Sequence, residues 1–315
     1  MSIKLKLTHK LIRPLVKNLE RLSLNKKIYL WKVIEFVLFA RTLSEYKRLY
    51  KLKKVNVEEL FEIDRQIGFS SFKVERNFTE KAISFGRQTL QEFLMQNFAK
   101  TNSKDYLQQI FNSSKLNQES EFLFTWATSA PVLKSVGKYL RKYPLLHDIS
   151  VFYSPPENNQ SDQYSGSQLF HMDGGGTQCV KIWLICEDIE LRNGPTVLLP
   201  AELSQKIAKK IKYQPGTKIL DEVVGDLSKE ALLATGPAGT WFATDTDRCL
   251  HYGSRTKQSS GRLVLMFHYV DHNSTYYTPL LRHQYKHSIN NIPKKIYSQK
   301  DYFSKMSIRF RLGNE

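Results

Sequence analysis

The chain has 315 residues, of which 41% are hydrophobic and 24% charged, and a formal net charge of +17. That length suits one large decorated domain or two small ones, and that balance excludes disorder and collagen-like bias. The charge is unevenly placed: residues 1–54 hold 15 Lys or Arg against three acids (Glu20, Glu35, Glu45), giving +12, residues 281–315 hold eight against two, giving +6, and the body between is close to neutral.

Basic ends attract any polyanion, so charge alone does not choose among nucleic acid, anionic lipid and an acidic polymer. Peripheral contact with an anionic membrane surface or another polyanion is the expectation for residues 1–54, and nucleic acid is not expected. The first strong helical pattern, Leu30, Val33, Ile34, Val37 and Leu38, follows Asn25 as a candidate cap and is rich in aromatic residues. It suits a membrane interface, and packing on a domain core explains it as well. The apolar run Val33–Ala40 contains Glu35 and is far shorter than the about 20 residues needed to cross a bilayer. Neither an apolar signal core nor a cleavage site follows the basic start, so a cytoplasmic location is expected by default.

A second helical pattern runs through Ala82, Phe85, Leu90, Phe93 and Leu94, and the chain up to about residue 145 reads as mainly helical. From about residue 147 the texture changes to short β-branched and aromatic runs broken by Gly, Pro, Asn and Ser. Candidate strands are Ile149–Tyr153, Gln168–Met172, Gln178–Cys186, Thr196–Leu199, Ala231–Ala234, Gly239–Ala243 and Arg262–Val270. Regular short strands without helical interruption imply an antiparallel sandwich or barrel. Pro155–Gly166 reads as an exposed loop. The expected organisation is a basic helical segment over 1–57, a main domain over 58–278 with its β core at about 147–272, and a basic tail over 279–315. Cys179, Cys186 and Cys249 lie in apolar runs without paired spacing and are read as reduced, buried thiols.

The chemistry concentrates in His171-Met172-Asp173 and in His251, about 80 residues later. Residues i and i+2 of a strand share a face, so His171 and Asp173 can reach one ion, and a histidine from a neighbouring strand completes a triangular face. Two imidazoles and one carboxylate suit Fe(II) with three open positions, and zinc is second choice. A lone His-x-Asp is common by chance; Gly174-Gly175-Gly176, directly after it, lets the backbone bend away and open a mouth beside the metal. Arg262 leads into the apolar strand Leu263–Val270 and needs an anionic partner. A bound dicarboxylate fits a guanidinium fork, and an ion pair to Asp245 or Asp247 is the structural alternative. His268 shares a face with Val264 and Met266, as a core histidine or a pocket wall. His9, His147, His272, His283 and His287 show no ligand spacing.

Ser167–Asp173, Lys181–Asp188, Asn193–Pro200, Gly236–Phe242 and the stretch from His251 to Arg262, taken in order, resemble the phytanoyl-CoA dioxygenase (PhyH-like) family over residues 145–272. The resemblance implies a double-stranded β-helix of the jelly-roll kind, cupin-like, a mainly β core in an α+β chain with the helical N-terminal region packed around it. It also implies Fe(II), 2-oxoglutarate as co-substrate and O₂. By position, His171, Asp173 and His251 match the family's iron ligands and Arg262 its oxo-acid arginine. Trp183 falls where some relatives place an aromatic near the oxo-acid, and Gln168 joins it as an expected pocket residue. Pro200-Ala201-Glu202-Leu203 departs from the usual Pro-Gly-Ser-His, so the loop there differs and the substrate edge with it. Asp173 is not replaced by Gly or Ala, which favours hydroxylation over halogenation. An unidentified substrate, either small or lipid- or glycan-related, is as far as the resemblance reaches. The rivals are a non-catalytic jelly-roll binding protein docking through its basic ends, and a zinc or iron cupin that works without an oxo-acid.

Overall fold

The computed structural model describes residues 49–96, 106–156, 164–214, 216–257, 261–271 and 274. The first helical pattern, most of the basic N-terminal segment and the tail lie outside them. Among the described residues, nine strands form two antiparallel sheets: β1 (Phe69–Phe72), β2 (Gln108–Phe111), β3 (Leu145–Ser154), β4 (Val180–Ile185), β5 (Thr196–Leu198), β6 (Leu232–Ala234), β7 (Trp241–Thr244), β8 (His251–Tyr252) and β9 (Arg262–Val270). The large sheet runs β1-β7-β4-β9-β3-β2 and the small one β6-β5-β8. This is a double-stranded β-helix of the jelly-roll kind.

Alternation along the strands decides which side chains meet. On β9, Leu263, Leu265, Phe267 and Tyr269 point outward into the main core, while Arg262, Val264 and Met266 point between the sheets. On β4 the outward set is Val180, Ile182 and Leu184, and the inward set is Lys181, Trp183 and Ile185. Every residue of β9 is buried because both faces are covered.

The outer cover is helical: α1 (Arg76–Met95), α2 (Glu121–Ala127) and α3 (Ala130–Leu140). Trp241 is the centre of this layer, its ring 5.0 Å from Trp126, 6.0 Å from Phe78 and 6.2 Å from Phe267. Its Nε1–H donates to Thr79 Oγ1 on α1, so the largest buried side chain leaves no polar atom unpaired. Gly86 lets α1 approach the sheet; a Cβ there would stand 2.8 Å from Cys186 Sγ. Leu52, from a helical stretch over 49–53, belongs to the same core.

Several expectations are corrected. The stretch before residue 145, expected to be mainly helical, also holds β1 and β2, which form the two edges of the large sheet. Each is four residues long and carries Ser or Gln, too short and polar to show a period of two. The β region is interrupted by α4 (Ala201–Lys210) and by the single turn α5 (Asp221–Val224). Helix α4 begins where the Pro200-Ala201-Glu202-Leu203 departure stands, and Ile207 packs from it onto the outside of the small sheet beside Phe170 and Leu199. The predicted strand Gln168–Met172 is a 3-10 turn over Gly166–Gln168 followed by single bridges, Phe170 to Ile219 and His171 to His251.

Candidate metal centre

The His171–His251 bridge builds the centre. Each residue's N–H donates to the other's carbonyl, at 3.0 and 2.9 Å, so the two imidazoles project from directly opposed positions with ring centres 4.3 Å apart. Asp173 follows one alternation later, and its N–H reaches Thr246 O. The Met172 N–H donates to Tyr213 Oη, whose own hydroxyl donates to Thr217 O, pinning the backbone between the two ligands. Gly175 N–H donates to Asp247 Oδ1, which fixes the glycine turn that carries the chain away.

One donor atom from each of His171, Asp173 and His251 lies within 4.8 Å of the others. Asp173 Oδ1 stands 3.6 Å from His171 Nε2 and 3.8 Å from His251 Nε2. The Nδ1 atoms face carbonyls, Leu169 O at 2.8 Å and Cys249 O at 3.0 Å. A carbonyl only accepts, so each Nδ1 carries the ring proton and each neutral Nε2 presents a bare lone pair to the centre. Burial, then the neighbouring His251, carries the His171 pKa down to about 3; burial also lowers His251. Burial would raise Asp173, but the Lys181 ammonium and both imidazoles take it well below the usual carboxylate range. The triad is therefore deprotonated at neutral pH. Two nitrogens and one oxygen converging from one side fit a divalent cation of the Fe(II) or Zn(II) kind.

The cavity beside the triad has a volume of about 320 Å³ and is walled by Trp183, Met172, Met266 and Phe152, with Lys218 and Tyr252 also lining it. Arg262 is buried at its edge. Its guanidinium donates to Gly194 O, Thr196 Oγ1 and Ser254 Oγ, all neutral, and its Nε has no partner. Neither acid considered from the sequence reaches it: Asp245 accepts from Tyr139 Oη and from the Cys179 and Asp247 N–H groups, while Asp247 holds Gly175. Burial lowers the Arg262 pKa to about 10, so it is charged at neutral pH, with no carboxylate beside it among the described residues.

Trp183 lines the cavity, its Nε1–H held by Thr244 Oγ1 and its ring stacked on Phe242. Gln168 does not line it. Its amide donates to Ser254 O and its Oε1 accepts from Ser165 N–H, so it braces the turn and the Ser254 backbone. His268 is buried with its ring edge-on to His147, 4.9 Å away. Cys179, Cys186 and Cys249 are free, buried thiols. Lys181 was not singled out from the sequence, although a lysine inside the apolar run Cys179–Cys186 signals a buried partner; its Nζ is 2.6 Å from Asp173 Oδ2. Burial works against that ammonium, and the adjoining carboxylate more than offsets it, so its pKa is raised.

No protein-family model matches the chain. No curated protein matches it either. Solved structures similar to it include EctD from S. alaskensis with 2-oxoglutarate and 5-hydroxyectoine, at 13% identity over 65% of this chain and 73% of that one, TM-score 0.45. They also include the non-heme alpha ketoglutarate dependent carbocyclase SnoK from nogalamycin biosynthesis, at 15% identity over 66% and 81%, TM-score 0.47. A third is AviO1 from Streptomyces viridochromogenes Tue57, at 12% identity over 67% and 92%, TM-score 0.45. Among the described residues, no helix is long and apolar enough to cross a membrane.

Proposed function

We propose that the chain is an Fe(II)- and 2-oxoglutarate-dependent dioxygenase of the phytanoyl-CoA dioxygenase-like kind that hydroxylates a C–H bond of a substrate that is small or is related to lipids or glycans. One observation supports this above the rest: three donors able to hold one metal ion share a cavity with a buried guanidinium that has no acidic partner among the described residues. A zinc cupin without an oxo-acid needs no such cation, whereas a bound dicarboxylate supplies the charge Arg262 lacks.

His171 Nε2, His251 Nε2 and Asp173 Oδ1 would hold the ion, each fixed by a backbone carbonyl or by Lys181. The backbone carbonyls that orient the imidazoles are the kind of support that ligating histidines need. Arg262 would grip the distal carboxylate, with Thr196 and Ser254 keeping its fork in place. Trp183, Met172 and Met266 close the walls and exclude water from the reacting groups. When bound, iron and the oxo-acid together supply oxidation of a C–H bond by O₂; the chain's part is binding, orientation and a dry cavity.

The test is anaerobic addition of Fe(II) and 2-oxoglutarate to metal-free protein. A weak visible charge-transfer band is expected, along with substrate-stimulated succinate formation that His171→Ala and Asp173→Ala each abolish. Near-normal turnover in both variants ends the reading. A missing band in metal-loaded protein favours a non-catalytic binding protein.

A further inference from the structure

In the reading above Lys181 only holds Asp173 in place, yet it stands at the centre. It projects inward from β4 two residues before Trp183, and it and Asp173 are largely buried, with side-chain exposures of 13% and 16%. Its ammonium takes Asp173 Oδ2 at 2.6 Å, while Oδ1 faces the two imidazoles. The carboxylate is thus fixed with one oxygen toward the ion and one turned away. The same contact neutralises the triad's single anionic donor. Among the charged side chains that line the cavity, Asp173 is then set against Lys181 and Arg262. A divalent cation entering that cavity alone meets net positive charge, and like charges repel strongly where water is scarce. A dicarboxylate carries two negative charges and reverses the balance.

We propose that Lys181 is a positioning residue that makes metal binding conditional on the oxo-acid: it turns one Asp173 oxygen forward and, by its charge, weakens the site's hold on a divalent cation until a dicarboxylate is present. The inference rests on the oxygenase reading. Chelation by the oxo-acid couples the two ligands in any such site; Lys181 adds a further part that its removal subtracts. Coupling is reciprocal, so 2-oxoglutarate gains as much from the metal as the metal gains from it.

The experiment titrates the full chain with Mn(II), read as loss of the free-ion electron paramagnetic resonance signal, with and without 2-oxoglutarate. Lys181→Gln keeps an N–H donor for Oδ2 and drops the charge, Lys181→Met drops both, and Lys181→Arg keeps the charge. Without 2-oxoglutarate, the Gln and Met variants should bind Mn(II) about tenfold more tightly than the wild type, and the gain brought by 2-oxoglutarate should shrink by the same factor. The Arg variant should match the wild type. Melting temperatures give a second readout: metal-free Lys181→Met leaves a buried carboxylate without its partner, so it melts lower and gains more from Mn(II). Unchanged or weaker affinity in both neutral variants, or an Arg variant that behaves like the Gln one, overturns the proposal. Absence of Mn(II) binding by the wild type with and without 2-oxoglutarate instead removes the oxygenase reading on which it rests.

Discussion

Arg262 is the single side chain on which the proposed function rests most. Its guanidinium is satisfied only by neutral oxygens, and a buried charge without an opposite charge is costly to keep. Arg262→Leu should therefore fold as well as the wild type while losing the hold on the distal carboxylate. A charge-assisted hydrogen-bonded contact contributes about 1.5–3 kcal/mol, so the KM for 2-oxoglutarate should rise by about 10- to 150-fold, with Mn(II) affinity in the absence of oxo-acid not reduced. Arg262→Lys keeps the charge without the fork and should fall between. Succinate formation against 2-oxoglutarate concentration measures this, and an unchanged KM in the Leu variant removes Arg262 from the oxo-acid site. Arg262 was readable because a cation stood at the head of a nine-residue apolar strand. Gln168 was placed in the pocket on proximity along the chain alone, and its amide is instead used by Ser165 and Ser254.

At the scale of elements, what was legible followed length and burial. β9 coincides with the predicted Arg262–Val270, and β4 and β7 lie within a residue or two of expectation, because central strands buried on both faces write long apolar runs. The edge strands β1 and β2 write none, and α4 writes only Leu203 and Ile207, with Ile211 just beyond it, at helical spacing among charged residues. The candidate metal ligands became legible for a different reason, since two of them stand one alternation apart in an extended stretch and one spacing encodes it; Lys181, eight residues on in β4, shares no such local pattern with Asp173. The coupling of helix layer to sheet gives the prediction at this scale. Trp241 is fully enclosed by Trp126, Phe78 and Phe267 and bonded to Thr79, so Trp241→Ala should cost about 3–5 kcal/mol through the cavity it leaves. Urea unfolding measures the loss, and Thr79→Ala, which removes only the hydrogen bond, should cost about 1 kcal/mol. Equal losses in the two variants would show that the bond, not the packing, holds α1 to the sheet.

Over the whole molecule, all three cysteines of the chain are sealed in the core, and this ties stability to pH. Cys186 Sγ lies under Gly86 and Cys249 Sγ under Gly68, each where a glycine makes room, while Cys179 sits beside Asp245 and Thr246. Burial raises all three thiol pKa values above 9.0, that of Cys186 to about 12. Tyr213, the hydroxyl that pins Met172 between two ligands, is likewise raised by burial to about 12. In the unfolded chain these groups ionise at their ordinary values, so above pH 9 the folded state holds more protons than the unfolded one. Their contribution is complete below pH 9 and is lost as pH rises toward 12. At about pH 10.5 a thiol held at about 12 has lost about 2 kcal/mol of that contribution. Urea midpoints should therefore stay level from about pH 7 to about pH 8.5 and fall steeply by about pH 10.5, with Cys186→Ala flattening the slope by its own share. A disulfide reagent near neutral pH should find no fast-reacting thiol in the native protein and all three after unfolding, because the thiolate is the reactive form and none is available while the core is closed. A rapid Cys186 thiol in the native state, or midpoints that do not fall at high pH, would mean that water reaches the seam between α1 and the sheet.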